Sequence, residues 1–255
     1  MPKSLKKFDV AEYQYVTPTV KSDDPRMKRA IDGSLGLYEA CYVMALGFER
    51  RDVAEFDAPP HPAHVLSGLT NTAAALNQWG GHWVLGGGLA MNYHGRERAS
   101  RDVDFWLVGK SDQLPAILNE LYRHDVRRHP IDQSKFVAPD GEFWWVPLQY
   151  GFPDAVPVDV DLLVAQNEFM AFMYATGIES SINGIRVRVI GREALLVLRL
   201  RAFRIQDRAD LQDLLFARRP FDRELVLAWL QKFKIEHRLA EIEALANENG
   251  GRRMG

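Results

Sequence analysis

Asp102 and Asp104 stand one residue apart in the string Asp102-Val103-Asp104-Phe105-Trp106-Leu107-Val108. On an extended strand, residues at i and i+2 point to the same face. Two carboxylates placed that way repel each other and are costly to bury unpaired. A divalent cation removes that cost, and oxygen-only ligation suits Mg²⁺ or Mn²⁺. The plainer reading is two solvated carboxylates on an exposed strand face. A second pair weighs against it: Asp159 and Asp161, inside the apolar run from Val156 to Val164. Asp is a poor strand former, so two of them in such a run need a reason. If the two strands are neighbours, three or four carboxylates converge, the ligand set of a two-metal phosphoryl-transfer site.

Gly86, Gly87 and Gly88 follow the short apolar run Trp83-Val84-Leu85. Glycines that leave a strand and open a helix let backbone N–H groups approach an anion. They also serve as an ordinary tight turn. Farther along, a helix expected over Arg192 to about Ala217 carries Arg199. At about 100° per residue, Arg199, Phe203, Gln206, Asp210 and Asp213 fall near one line, with Arg201, Arg204 and Arg208 opposite. Arg199 then faces the site and Asp213 acts as a structural brace. The three opposite arginines read as a solvated stripe rather than an RNA-binding patch. Trp144 and Trp145 could stack a base, but neighbours on a strand point to opposite faces, so at least one belongs to the core. Trp83 and Trp106 are expected there too. None of the seven histidines has the spacing of a zinc motif, and no Walker sequence is present. Cys41 is alone, which excludes an intramolecular disulfide, and it reads as a small buried hydrophobe.

These residues need elements to hold them. Strands are expected at Trp83–Leu85, Asp102–Val108, Phe143–Gln149 and Val156–Val164, and a hairpin at Ile178–Ile182 and Ile185–Ile190 around Asn183-Gly184. Helices are expected at about Asp24 to Phe48, Ala63–Trp79, Leu89–Tyr93, from a Ser111 cap through Tyr122, Glu168–Ala175, Arg192 to Ala217, and Asp222 to Ala246. Residues 1–23 read as an extended arm, 57–62 as a linker, and the tail at Gly250–Arg253 as loose. The fold class is α/β: a mixed sheet flanked by helices, with a helical region at each end. The expected units are 1–80, 81–190 and 191–255.

Composition limits the function classes. Of 255 residues, 47% are hydrophobic and 26% charged, so the chain has the apolar material of a folded protein. The formal net charge of −2 gives no argument for nucleic acid, yet nine arginines face four acidic residues between Arg186 and Arg219. The N-terminal basic residues precede no apolar segment, and no run reaches the ~18 apolar residues of a membrane span. A cytoplasmic protein with no membrane association is the expectation.

The string VLGGGLAMNYHGRERASRDVDFWLV resembles the signature of the nucleotidyltransferase superfamily, the DNA polymerase β-like enzymes. Arg98, Ser100, Asp102 and Asp104, with the segment Arg192–Arg204 and Asp210-Leu211-Gln212-Asp213, resemble its AbiEii-type branch, which includes toxins of toxin–antitoxin pairs. The likeness spans about residues 82–217. It implies transfer of a nucleoside monophosphate from an NTP to an acceptor hydroxyl. Asp102 and Asp104 would then hold Mg²⁺, and Asp161, with Asp159 beside it, would complete the site. Asp161 precedes Leu-Leu as the third carboxylate of the family does. Gly87 and Gly88 would cradle the triphosphate, assisted by Arg98 and Ser100, and Asp210 would belong to the nucleotide-binding set. Arg199 stands where the branch most often has Lys; it keeps the charge that neutralises pyrophosphate but serves poorly as a proton donor. The acceptors implied are a tRNA end, a protein hydroxyl or a small molecule such as an aminoglycoside, and the implied protein partner is an antitoxin. Two other readings are an antibiotic-modifying nucleotidyltransferase and a non-catalytic nucleotide-binding or protein-interaction module that keeps the fold.

Overall fold

A computed structural model describes residues 60, 62–95, 100–129, 143–151, 156–216 and 220–252. The expected N-terminal arm, the first helix with Cys41, most of the linker and Arg98 lie outside the described residues. Eight helices are described: α1 (Pro62–Trp79), α2 (Gly87–Tyr93), α3 (Leu114–Arg123), α4 (Glu168–Ala175), α5 (Arg192–Ala202), α6 (Ile205–Phe216), α7 (Arg223–Lys232) and α8 (His237–Arg252). The strands are β1 (His82–Leu85), β2 (Asp102–Val108), β3 (Val126–Arg128), β4 (Trp144–Tyr150), β5 (Val158–Ala165), β6 (Ile178–Ile182) and β7 (Ile185–Val189). They form one mixed sheet in the order β3-β4-β5-β2-β1-β7-β6.

The fold class matches the expectation, and so do most elements. Pro62 opens α1, where its missing N–H costs nothing. Gly80 closes it at φ +79, its N–H bonded to Leu76 O at 3.1 Å. Asn183 and Gly184 take φ 50 and 78, and Ile182 pairs with Ile185 across the tight turn. Along β5, Val158, Val160 and Leu162 are fully buried. α1 covers that face: a Cβ on Gly68 would lie 3.3 Å from Val158, and Asn71 Nδ2 donates to Tyr150 Oη at 3.2 Å. The opposite face of β5 therefore presents Asp159 and Asp161.

Four local expectations are corrected. Ser111 does not cap α3 but opens a 3-10 turn, Ser111–Gln113, in which Lys110 N–H donates to Gln113 Oε1 at 2.9 Å. β3 was not foreseen, because three residues are too few for a pattern. The helix expected over Arg192–Ala217 is two helices. Phe203 adopts the left-handed conformation at φ 52, with its N–H on Arg199 O at 2.8 Å. Arg238 Nη1 caps the freed end of α5 through Leu200 O at 2.9 Å and Arg201 O at 2.7 Å. Likewise Lys234, at φ 58, separates α7 from α8, and α8 runs to Arg252, past the expected end at Ala246 and through the tail expected to be loose.

Candidate active site

β2 and β5 run parallel, and their register pairs Asp102 with Asp159 and Asp104 with Asp161. Direct partners in a ladder leave the sheet on the same side, so all four carboxylates share one face. Each strand contributes two by the i, i+2 rule. β1, which pairs with β2 and ends at Leu85, leads into the glycine turn: Gly86 N–H donates to Asp104 O at 2.9 Å. Gly87 has φ +60, and a Cβ built there would sit 1.6 Å from Asp104 Oδ2. Only glycine fits. Its backbone therefore lies against the Asp104 carboxylate, which is 8% exposed. Gly88 is buried in the first turn of α2, which begins at Gly87 rather than Leu89.

The carboxylates are held by neighbours on β4 and on the segments just before β2 and just after β3. Ser100 Oγ donates to Asp102 Oδ1 at 3.0 Å. Trp145 Nε1 donates to Asp161 Oδ1 at 2.8 Å, and Gln149 Nε2 to Asp159 Oδ1 at 3.3 Å. His129 Nε2 lies 3.7 Å from the same Asp159 oxygen. Burial, then the charge of Asp104, pushes the Asp161 carboxyl well above its ordinary range; Trp145 opposes this, and Asp102 and Asp159 add to it. As they stand, no three acidic, His or Cys side chains among the described residues are gathered as a metal cage.

Arg199 is 5% exposed and lines a small void of about 10 Å³ with Gly87, Trp106, Leu198 and Ala202. Its partner was not expected. Arg199 Nη1 donates to Asp207 Oδ1 at 2.7 Å. Arg204 holds the same carboxylate through Nε at 2.7 Å, Nη2 at 3.1 Å and its own N–H at 3.0 Å. Burial alone would raise Asp207, but the Arg204 hydrogen bond and charge, followed by Arg199, outweigh it and hold the carboxyl below its ordinary range. In one continuous helix Asp207 would stand about 12 Å along the axis from Arg199; the break at Phe203 brings the two together. For the same reason Arg199 shares no continuous helix face with Gln206, Asp210 and Asp213. Asp210 is buried in α6 and Asp213 half-buried.

The expected arginine stripe is not a solvated one. Arg201 lies 4.0 Å over the Phe233 ring, and Arg204 is committed to Asp207. Arg208, still exposed, lies 4.4 Å over Phe203 and 3.6 Å from Glu241. Sequence reasoning missed Trp145 as a carboxylate partner, and missed Gln149, His129 and Asp207. A signal existed for the first two: Trp145, Pro147 and Gln149 alternate along one strand and so share a face. None existed for His129 or Asp207.

Residues 72–250 match the model of a protein family described as nucleotidyl transferase AbiEii toxin, type IV TA system. That is well over half of the chain. The protein belongs to this family. It is a nucleotidyltransferase, and the two Asp-x-Asp segments, the glycine turn, α5 and α6 all lie inside the matched region. Among curated proteins none matches. Solved structures with a similar arrangement include an antigenic nucleotidyltransferase-like protein from Paracoccidioides brasiliensis, 17% identical over 72% of this chain and 94% of that one, with TM-score 0.43. JHP933 from Helicobacter pylori is 18% identical over 68% and 75%, with TM-score 0.43. The antibiotic-resistance factor ANT(2'')-Ia is 14% identical over 72% and 97%, with TM-score 0.42. Likeness at this level does not bear on substrate.

Proposed function

We propose that the protein transfers a nucleoside monophosphate from an NTP to an acceptor hydroxyl and releases pyrophosphate, in a reaction that needs Mg²⁺ or Mn²⁺. The observation that supports this most is the register of β2 and β5, which sets Asp102, Asp104, Asp159 and Asp161 on one face of the sheet, with Asp104 against Gly87. The donor set fits the ion: it is all oxygen, and the Asp161 carboxyl is driven toward its neutral form by burial and by the neighbouring carboxylates. Asp102, Asp104 and Asp161 are the proposed ligands, with Asp159 as the fourth carboxylate. When bound, the metal supplies charge neutralisation for the phosphates and an orienting centre.

The remaining roles belong to the chain itself. Gly87 and Gly88 let the backbone approach the triphosphate without a side chain in the way. Ser100 orients Asp102, and Trp145 orients Asp161, which accepts the proton of the acceptor hydroxyl. Arg199 offsets charge on the departing pyrophosphate, and Asp207 fixes the direction of its guanidinium. Arg98, Ser100 and Asp210 are the further members of the proposed nucleotide-binding set. The family description pairs the enzyme with a toxin–antitoxin system, so the proposed acceptor is RNA, a tRNA end in the first instance, and the proposed counterpart is an antitoxin. We place it in the cytoplasm, in keeping with the absence, among the described residues, of any helix long and apolar enough to cross a membrane.

The test is incubation with each of the four labelled NTPs and Mg²⁺, with total RNA, cell protein or an aminoglycoside as acceptor. Label is expected in RNA. Transfer at the full rate by the Asp102→Ala, Asp104→Ala double variant would sink the assignment, and label in protein or aminoglycoside would replace the RNA acceptor.

A further inference from the structure

A cavity of about 170 Å³ opens at the other pole of the sheet, where Asn77, His82, Tyr174, Glu179, Arg186 and Arg188 contribute to its wall. It is not part of the carboxylate site. His82 pairs with Val108, at the far end of β2 from Asp102, and a strand of seven residues spans about 20 Å. None of the roles assigned above uses it.

Its wall is a ladder of rings and cations. His82 stacks on Tyr174, with ring centroids 4.1 Å apart and planes 17° from parallel. Arg188 lies over the Tyr174 ring at 4.6 Å. Arg188 is fully committed: Nη1 donates to Tyr174 O at 3.1 Å and Gly177 O at 3.0 Å, and Nη2 pairs with Glu179. It is a rigid support rather than a ligand group. Arg186 differs. It is exposed, and among the described residues no ion pair holds its guanidinium. Asn77 Nδ2 donates to the Arg186 backbone carbonyl at 2.9 Å, which fixes the strand and leaves the amide oxygen of Asn77 as an acceptor. His82 is exposed and has only one ring neighbour in the ladder.

We propose that this cavity is a second binding site, for a nucleotide. The base continues the ladder on the open side of His82, and the phosphate pairs with Arg186. At about 170 Å³ the cavity has room for an aromatic ring, since one of about 150 Å³ accepts benzene; the ribose and phosphate then lie at its mouth, where Arg186 is exposed. The chemistry agrees as well: nucleotides are held by aromatic stacking together with arginine–phosphate bonds. A simple anion would use Arg186 but not the rings. An acidic peptide would use the cations but not a stacking platform. Base plus phosphate uses both. The same chemistry comes from a free mononucleotide or from one nucleotide of a single-stranded RNA.

The test uses the full chain in EDTA, with calorimetry against AMP, a short oligoadenylate and inorganic phosphate. Wild type and Asp104→Asn are expected to bind AMP or the oligonucleotide equally, which separates this site from the catalytic one. Arg186→Glu should weaken binding by about tenfold or more, the size of one charge-assisted hydrogen bond. His82→Ala should weaken it by at least about fivefold, and His82→Phe should restore it. Comparable affinity for AMP and oligoadenylate identifies a free nucleotide as the source; much tighter oligoadenylate binding identifies RNA. Absence of binding by both nucleotides overturns the proposal. So does binding that Arg186→Glu and His82→Ala leave unchanged, or phosphate binding as tight as that of AMP. Since no metal or turnover is involved, these outcomes are independent of whether nucleotidyl transfer is found.

Discussion

Asp104 on β2 and Asp161 on β5 are register partners across a parallel strand pair, and the charge of Asp104 raises the cost of ionising Asp161. Burial comes first and Asp104 second in driving the Asp161 carboxyl upward. Because the folded value lies above the ordinary 3.8, the charged form is disfavoured in the fold. Without metal, stability is greatest below the ordinary value and falls as pH rises through the raised one. Asp161→Asn keeps an acceptor for Trp145 and removes the charge. The expected result is, in EDTA, a higher Tm than wild type at neutral pH and a gap that closes at low pH, and, with Mg²⁺ present, a loss of transfer of about a hundredfold to ten-thousandfold. Thermal melts across pH, with label transfer beside them, check it.

Mg²⁺ is expected to reverse that cost in the wild type. Adding it should raise Tm with a midpoint set by its affinity, and EDTA should abolish transfer. Asp102→Ala, Asp104→Ala should lose both effects while keeping its circular dichroism. A metal-independent Tm in the wild type would contradict the ligand assignment.

Trp145→Phe removes the indole N–H that bonds Asp161 at 2.8 Å and keeps a ring of similar burial. A group that orients a metal ligand typically contributes about 10–100-fold to affinity or activity. The Mg²⁺ concentration for half-maximal transfer should rise by that order, with the apo Tm little changed.

Gly87→Ala forces a Cβ into the Asp104 carboxylate at 1.6 Å, at φ +60. A loss of about 1–3 kcal/mol is expected from the backbone alone, with transfer abolished. Gly184→Ala is the control. It has φ +78 but no atom within 4 Å of its Cβ, so it should show the smaller backbone cost and retain activity. Urea unfolding and label transfer distinguish them.

Asp207→Asn leaves Arg199 and Arg204 facing a neutral amide in a buried setting. Breaking one side of a buried ion pair costs about 3–5 kcal/mol, measurable by urea unfolding. Its folded value lies below the ordinary 3.8. The ion pair's contribution is therefore fully present above the ordinary value and lost as pH falls through the lowered one. The variant's deficit should shrink in that acid range only.

The local part of the site was legible in the chain itself. An i, i+2 spacing puts Asp102 with Asp104, and Asp159 with Asp161, on one face of whatever strand carries them, because side chains alternate along any extended backbone. Gly86-Gly87-Gly88 after an apolar run marks a turn that side chains would obstruct, and Asn183-Gly184 marks a hairpin. Each follows from covalent geometry within a few residues. Tertiary structure alone decided that the two carboxylate pairs share one face of the sheet, since register partners 57 residues apart in sequence, Asp102 and Asp159, have no local signal for adjacency or register. The same holds for His129, which reaches Asp159 from just past a three-residue strand, and for Trp145, whose indole direction depends on a neighbouring strand's phase. It holds most clearly for Arg199 and Asp207. Helix periodicity joined Arg192 to Ala217 and lined Arg199 up with Gln206, Asp210 and Asp213, whereas its partner is Asp207. Packing of Phe203 between Arg208 and Arg238, and capping of the Leu200 and Arg201 carbonyls, made a left-handed residue at 203 tolerable. Those partners lie in later helices, outside the reach of any pattern read along α5.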